Sequence, residues 1–389
     1  MLDTRYSPYP TTVLVPLCPR PSAGTAADPE RAREHVREQL AAEHGVQPFQ
    51  VILTDSGTTA LWLALTCEDG GDGNEVVLSS YNCPSILRAV WAAGCHPVLV
   101  DIDGGDLLPR PDRLVSAVGP LTRAVLATHL VGQTMDLREL SAACAERGVC
   151  LIDDAAQVYS GEFHARPLGS FGDYGLLSFG RHKPLLAGGG ALIVQDIRKA
   201  RKANKIANRL RQNMAGPAGP WYDDLLAASI KVAHTPLLPA RMSDLDASRL
   251  RDALTTWPTT RKRGMAMADS LRAAIHGNPG AAMRVLPRNP TTPYTFLAVE
   301  ITAGLRHRAA QTLALHGVET TRLYLPLSAV VRPGEPGDVP DPGARRRSDS
   351  LLCLPCRGDL TPDSTTALIK IVNNLVVEPL FDVVQRQPG

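Results

Sequence analysis

The chain has 389 residues, 44% hydrophobic and 21% charged, which is enough for a large core and a second, smaller folding unit. Lys and Arg (41) nearly balance Asp and Glu (39), which argues against a dedicated nucleic-acid binder. The segment Met1–Pro21 lacks a basic stretch followed by a long apolar one, and no uncharged apolar run approaches a membrane span, so a cytoplasmic protein with no membrane role is expected.

A Pro-rich leader over 1–27 precedes a helix expected over 28–43, with Asp28 as N-cap and Pro29 in the first turn. A regular alternation follows. Strands are predicted at 49–54, 75–78, 97–100, 124–127, 149–152, 174–179 and 191–194, and helices at 58–67, 84–93, 110–118, 136–147 and 196–214. Short continuous apolar runs separated by helical patterns predict an α/β fold whose mainly parallel central sheet carries helices on both faces. The segment 217–239 reads as irregular, and Ser243 caps a helix over 243–254. The tail reads as a smaller α+β unit with strands at 294–301 and 319–325 and helices at 305–315 and 362–375. Within the tail, 331–343 is a Pro- and Gly-rich surface loop. The expected organisation is a leader (1–27), a large α/β domain (28–240) and a small C-terminal domain (241–389).

Eight cysteines (Cys18, Cys67, Cys83, Cys95, Cys144, Cys150, Cys353, Cys356) lie in apolar or helical contexts and read as reduced core residues. Cys353 and Cys356 have the C-x-x-C spacing of zinc or redox sites, but no second pair accompanies them, and the histidines form no metal motif.

In an open α/β sheet, ligands bind where strands end. After the first strand, Ser56-Gly57-Thr58-Thr59 opens a helix, and its free amides and hydroxyls suit a phosphate or serve as a helix cap. After the second stands Tyr81, an aromatic able to lie on a planar ring or to pack at a sheet edge. Asp153 and Asp154 follow the fifth strand; a Walker motif is absent, so a carboxylate that keeps a pyridine nitrogen protonated is the simpler use. Ser178 lies five residues before Lys183, so a hydroxyl can reach a phosphate while the amine reaches an aldehyde. Together these residues describe a pyridoxal 5′-phosphate (PLP) site.

The segments SGTTAL (56–61), VDID (100–103), THLVGQTMD (128–136), IDDAAQ (152–157), GSFGDYG (169–175) and SF-x-x-x-K (178–183) carry a resemblance to the DegT/DnrJ/EryC1/StrS family, sugar aminotransferases of PLP fold type I. The resemblance runs from about Gln47 to Asp196 and returns at 241–243, 324–327 and 352–355. It implies that Lys183 bonds the cofactor aldehyde and shuttles the substrate proton, Asp154 pairs with the ring nitrogen, Gln157 contacts the ring hydroxyl, and Tyr81 stacks on the ring. Gly57, Thr58, Thr59 and Ser178 would hold the phosphate. It further implies an amino-acid donor, glutamate or glutamine, a ketosugar acceptor, nucleotide-linked, and a homodimer with shared sites. Members that remove a hydroxyl carry His at the lysine position, so Lys183 favours transamination.

Four departures bear on the substrate. The family's N-Y-R-M-S is Pro239-Ala240-Arg241-Met242-Ser243, leaving Arg241 or Asn213 to replace the Asn; the glycine turn after the lysine is one residue shorter; a common His is Ser328; and the leader lacks the usual glycine-containing loop. A cyclitol or other non-sugar ketone, a non-transaminating PLP reaction, and a non-catalytic regulatory protein on the same fold are the alternatives.

Overall fold

The computed structural model describes residues 28–68, 73–103, 105–212, 225–277, 283–293, 295–302 and 304–377. The leader, Asn213, Met214, residues 217–224 and Tyr294, on which some expectations fall, lie outside these.

The chain opens with α1 (Pro29–His44), where Asp28 Oδ1 accepts from the Arg31 amide at 3.1 Å as the expected N-cap. Then come β1 (Val51–Thr54), α2 (Gly57–Cys67), β2 (Glu75–Ser79), α3 (Ser85–Ala92) and β3 (His96–Val100). They are followed by α4 (Pro111–Ser116), β4 (Thr122–Thr128), α5 (Arg138–Glu146) and β5 (Cys150–Asp154). A short hairpin, β6 (Glu162–Phe163) and β7 (Arg166–Pro167), precedes β8 (Tyr174–Ser178), β9 (Gly190–Val194), α6 (Ile197–Ala207), β10 (Arg211–Gln212), α7 (Leu225–His234) and β11 (Ala240–Arg241).

Nine of these strands form one sheet in the order β10-β11-β1-β9-β8-β5-β4-β2-β3. The run from β3 to β8 is parallel, whereas β9 is antiparallel to both β8 and β1. The β8–β9 connection has no crossover helix, so β9 returns antiparallel beside β8, and Lys183 sits on that connection. Both faces of the sheet are covered. Leu151, Leu177 and Ile193 join one core, while their neighbours Ile152, Leu176 and Leu192 join the other, the period-2 alternation of a sheet buried on two sides. Each such side chain contributes ~1.5–3 kcal/mol by leaving water.

The helix capped by Ser243 does not stop at 254 as its pattern predicts. It is α8 (Asp244–His276), with Pro258 inside and Ser243 Oγ accepting from the Asp246 amide at 3.0 Å. An interior proline costs about 3 kcal/mol, and packing offsets that. The first half of α8 (Ala247, Leu250, Leu254, Trp257) belongs to a core of the large sheet, and the second half (Met267, Ala268, Leu271, Ile275) to a third core. The division expected at 240/241 falls within β11.

That third core lies on an antiparallel sheet of β12 (Met283–Val285), β13 (Phe296–Ile301) and β14 (Leu351–Pro355), accompanied by α9 (Arg306–Leu315), α10 (Pro342–Ser350) and α11 (Pro362–Val377). The strand expected at 319–325 is not formed. Thr321 makes a single bridge to Cys353, and Leu323 at φ 68° turns the chain away. The strand there is instead β14, which contains Cys353; burial raises the thiols of Cys353 and Cys356. Two other expectations are corrected. Helix α7 occupies part of the segment read as irregular, and α6 ends at Ala207, short of 214. No helix among the described residues is long and apolar enough to cross a membrane.

Candidate active site

A cavity of about 280 Å³ opens where β1, β4, β5 and β8 end, close to the lower bound of about 300 Å³ usual for small-molecule sites. Gly57, Thr58, Asp154, Gln157, Ser178 and Lys183 all line it.

The anion end is the start of α2. Ser56 Oγ accepts from the Thr59 amide and the Ser56 carbonyl from the Ala60 amide, both at 3.1 Å, which leaves the first helical residues, Gly57 and Thr58, to face the cavity with the positive end of the helix dipole behind them. A Cβ at position 57 would stand 3.0 Å from Ser178 Cβ, so glycine lets the Ser178 hydroxyl and the helix start share one small cradle. Thr59, expected at the phosphate, is fully buried outside the lining, and its Oγ1 accepts from Ser56 Oγ at 3.3 Å.

The acid end is β5. Asp154 is 5% exposed; its Oδ2 accepts from Thr128 Oγ1 and its Oδ1 from the Ala156 amide, each at 3.0 Å. Burial raises its carboxyl above the usual range, against the pull of the Lys183 charge and of these hydrogen bonds. Thr128 Oγ1 accepts in turn from Asn82 Nδ2 at 2.9 Å. Thr128 and Asn82 therefore join the expected residues at this cavity, and both stand where strands end, Thr128 as the last residue of β4 and Asn82 in the turn after β2, as Asp154 does on β5.

The aromatic wall differs from expectation. Tyr81 is fully buried, lies outside the cavity lining and donates its hydroxyl to the Arg322 carbonyl at 3.2 Å. The turn after β2 directs Asn82 and Cys83, not Tyr81, to the cavity. The aromatic that lines it is Tyr324, whose ring meets Tyr81 edge-on at 6.2 Å and whose hydroxyl accepts from Gln157 Nε2. Gln157 Oε1 accepts from the Val131 amide at 3.4 Å, so its amide N–H₂ is the end turned inward, a donor suited to a ring oxygen.

Lys183 stands half-buried on the β8–β9 connection, which is closed at its neck by Phe179 N–H to Gly189 O (2.9 Å) and Gly188 N–H to Phe179 O (2.7 Å). An amine, a buried carboxylate, an inward amide donor and a helix-start cradle thus surround one cavity, which fits PLP at its aldehyde, ring nitrogen, ring hydroxyl and phosphate. A wider groove of about 630 Å³ beside the β6–β7 hairpin contains none of these residues.

Residues 31–373 match the model of the DegT/DnrJ/EryC1/StrS aminotransferase family. The chain is 29% identical over 331 residues to the dTDP-4-dehydro-2,3,6-trideoxy-D-glucose 4-aminotransferase of Saccharopolyspora spinosa, covering 83% of each. It is 32% identical over 193 residues to an L-glutamine:2-deoxy-scyllo-inosose aminotransferase of Streptomyces kanamyceticus, covering 49% of this chain and 45% of that protein. Among solved structures, the aminotransferase TlmJ of Streptoalloteichus hindustanus superposes with a TM-score of 0.73 at 28% identity, covering 93% of this chain and 99% of that one. With residues of SGTTAL, THLVGQTMD, IDDAAQ and SF-x-x-x-K lining one cavity, the chain belongs to the DegT/DnrJ/EryC1/StrS aminotransferases and is a PLP-dependent enzyme.

Proposed function

We propose that the enzyme moves an amino group from glutamate or glutamine to the keto group of a nucleotide-linked sugar, and that it works as a homodimer with shared sites. The observation that carries this reading is the gathering of Lys183, Asp154 and Gln157 in one cavity with the Gly57–Ser178 cradle. The Saccharopolyspora relative, which matches over most of both chains, supports the sugar acceptor.

When bound, PLP supplies an aldehyde that joins an amine and a ring that accepts the electron pair left when the substrate α-carbon loses its proton. The protein's residues then divide the work. Gly57, Thr58 and Ser178 hold the phosphate and fix the ring's position. Asp154 keeps a proton on the ring nitrogen; burial strengthens that charge pairing because little water competes. The Gln157 amide donates to the ring oxygen. Lys183 is the base that takes the α-proton and returns it on the cofactor side.

The test is spectroscopic. Purified protein loaded with PLP should show a visible band that borohydride removes and that L-glutamate or L-glutamine bleaches stoichiometrically, and mass spectrometry should find an amino sugar after a nucleotide-linked ketosugar is added. A Lys183→Ala variant with an unchanged band would end this reading. The Streptomyces relative, named for a cyclitol ketone, favours a second acceptor class; 2-deoxy-scyllo-inosose in the same assay separates the two.

A further inference from the structure

Lys183 is held from outside its own loop. Its carbonyl accepts a 2.6 Å hydrogen bond from Arg357 Nη1, and Arg357, just beyond β14, is only 4% exposed. The rest of the guanidinium is engaged by Asp359, with Nε to Oδ1 at 3.0 Å and Nη2 to Oδ2 at 2.8 Å. This fork fixes the plane of the guanidinium and aims Nη1 at the lysine carbonyl.

The surroundings make the clamp stiff. A Cβ at Gly358 would lie 1.7 Å from the Thr260 carbonyl oxygen, so the backbone between Arg357 and Asp359 rests directly on α8. The ring of His182, the residue before Lys183, sits 5.8 Å from that of Phe296 on β13, and Phe296 is the register partner of Pro355 on β14. Phe296 on β13 and Arg357 just past β14 therefore each contact one of two adjacent residues of the lysine loop. Pro184 adds a local restriction, since a residue before proline is kept out of the helical region.

We propose that Arg357, oriented by Asp359, is a positioning residue for Lys183: it fixes the backbone from which the amine reaches the cofactor aldehyde and the substrate α-proton. The inference rests on the cofactor role of Lys183 given above. A local Arg357–Asp359 pair needs no third partner for its own stability. The contact to the lysine carbonyl is what ties the second sheet to the reacting amine.

The experiment uses full-length, PLP-loaded protein carrying Arg357→Ala, Arg357→Lys or Asp359→Asn, with L-glutamate as the probe. Arg357→Ala should keep one borohydride-fixable PLP per chain and a donor KM within about threefold. Its single-turnover rate should fall roughly ten- to hundredfold, the scale on which small misplacements of a reacting group act. The pH midpoint of its cofactor band should move by about half a unit or more, because the environment of the bound amine changes. Arg357→Lys, which keeps one donor, should recover much of the rate, and Asp359→Asn should fall between.

A wild-type rate and midpoint in Arg357→Ala would overturn the proposal. Losses in all three variants that merely track lost cofactor or a lowered unfolding midpoint, with no rescue by lysine, would do so as well. Should Arg357→Ala fail to fold, Arg357→Lys and Asp359→Asn carry the same comparison. Absence of a Lys183-dependent band in the wild type would instead refute the cofactor reading itself.

Discussion

Asp153 and Asp154, neighbours on β5, face opposite sides of the strand and serve different masters. Asp154 turns to the cofactor cavity. Asp153 is fully buried behind it, its Oδ2 accepting from the amides of Gly169 (2.7 Å) and Phe171 (3.0 Å) and its Oδ1 from His129 Nε2 (3.0 Å). His129 Nδ1 accepts from the Met135 amide at 3.0 Å, which puts the ring proton on Nε2.

Amide substitution should therefore separate stability from catalysis. In Asp153→Asn one of the two oxygens becomes an N–H₂ group, which must face either the His129 donor or two backbone donors. The expected loss is about 1–3 kcal/mol in urea unfolding, with the PLP band retained. Asp154→Asn should stay folded and bind PLP, yet lose roughly 10²-fold or more in the single-turnover rate with an amino donor, because no charge holds the ring proton. Matching losses of both kinds in both variants would refute the division.

A pH dependence follows from the same site. Burial raises the Asp154 carboxyl above 3.8, so the native cofactor-free protein keeps this proton to higher pH than the unfolded chain does. The stability it contributes is complete below the ordinary aspartate value and is lost as pH rises through the raised one. The urea midpoint of cofactor-free wild type should therefore drop across that window relative to Asp154→Asn, which has no such proton. Parallel curves for the two proteins would show that Asp154 titrates normally.

Much of this site is legible in the sequence because the chemistry lies where buried strands end. Short apolar runs locate β1, β4, β5 and β8, and the residues at or just past their ends include Gly57, Asp154 and Ser178. What sequence cannot supply is the direction of a side chain within a turn. Tyr81 and Cys83 lie two residues apart after β2, and only the path of that turn sends one inward and the other into the core. Contacts from distant segments are equally silent. Tyr324 and Arg357 come from the second sheet and its connections, where Leu323 in a left-handed conformation spoils a strand pattern and a proline fails to end α8. Local propensity loses to packing in both places.

The hairpin of β6 and β7 stores a correctable strain. Phe163 and Arg166 are register partners, so His164 and Ala165 form a two-residue turn, with φ of 49° and 57°. Such turns prefer Asn and Gly, and a left-handed alanine costs about 1–2 kcal/mol. Ala165→Gly should raise unfolding stability by about 1 kcal/mol, since glycine's extra freedom in the unfolded chain cancels part of the gain. The cofactor band should not change. His164 is the poorer target, because its ring packs edge-on against Phe163 at 4.5 Å. An unchanged urea midpoint in Ala165→Gly would mean that the turn is not strained.

The two tyrosines at the aromatic wall should respond oppositely to loss of the hydroxyl. Tyr81→Phe removes the donor to the Arg322 carbonyl, deep in the core, and should cost about 1 kcal/mol in stability while the PLP absorbance and its pH midpoint stay as in wild type. Tyr324→Phe keeps the ring but removes the oxygen that engages Gln157 Nε2. Burial holds the Tyr324 phenol well above its ordinary pKa, so it remains neutral and acts through its hydrogen bonds to Gln157 and Cys83. Releasing the Gln157 amide alters the donor facing the cofactor's ring oxygen, so Tyr324→Phe should shift the band or its pH midpoint and change PLP affinity by about threefold or more. If Tyr81→Phe moved the spectrum and Tyr324→Phe did not, the cofactor would have to contact Tyr81 after all, and the wall described above would be wrong.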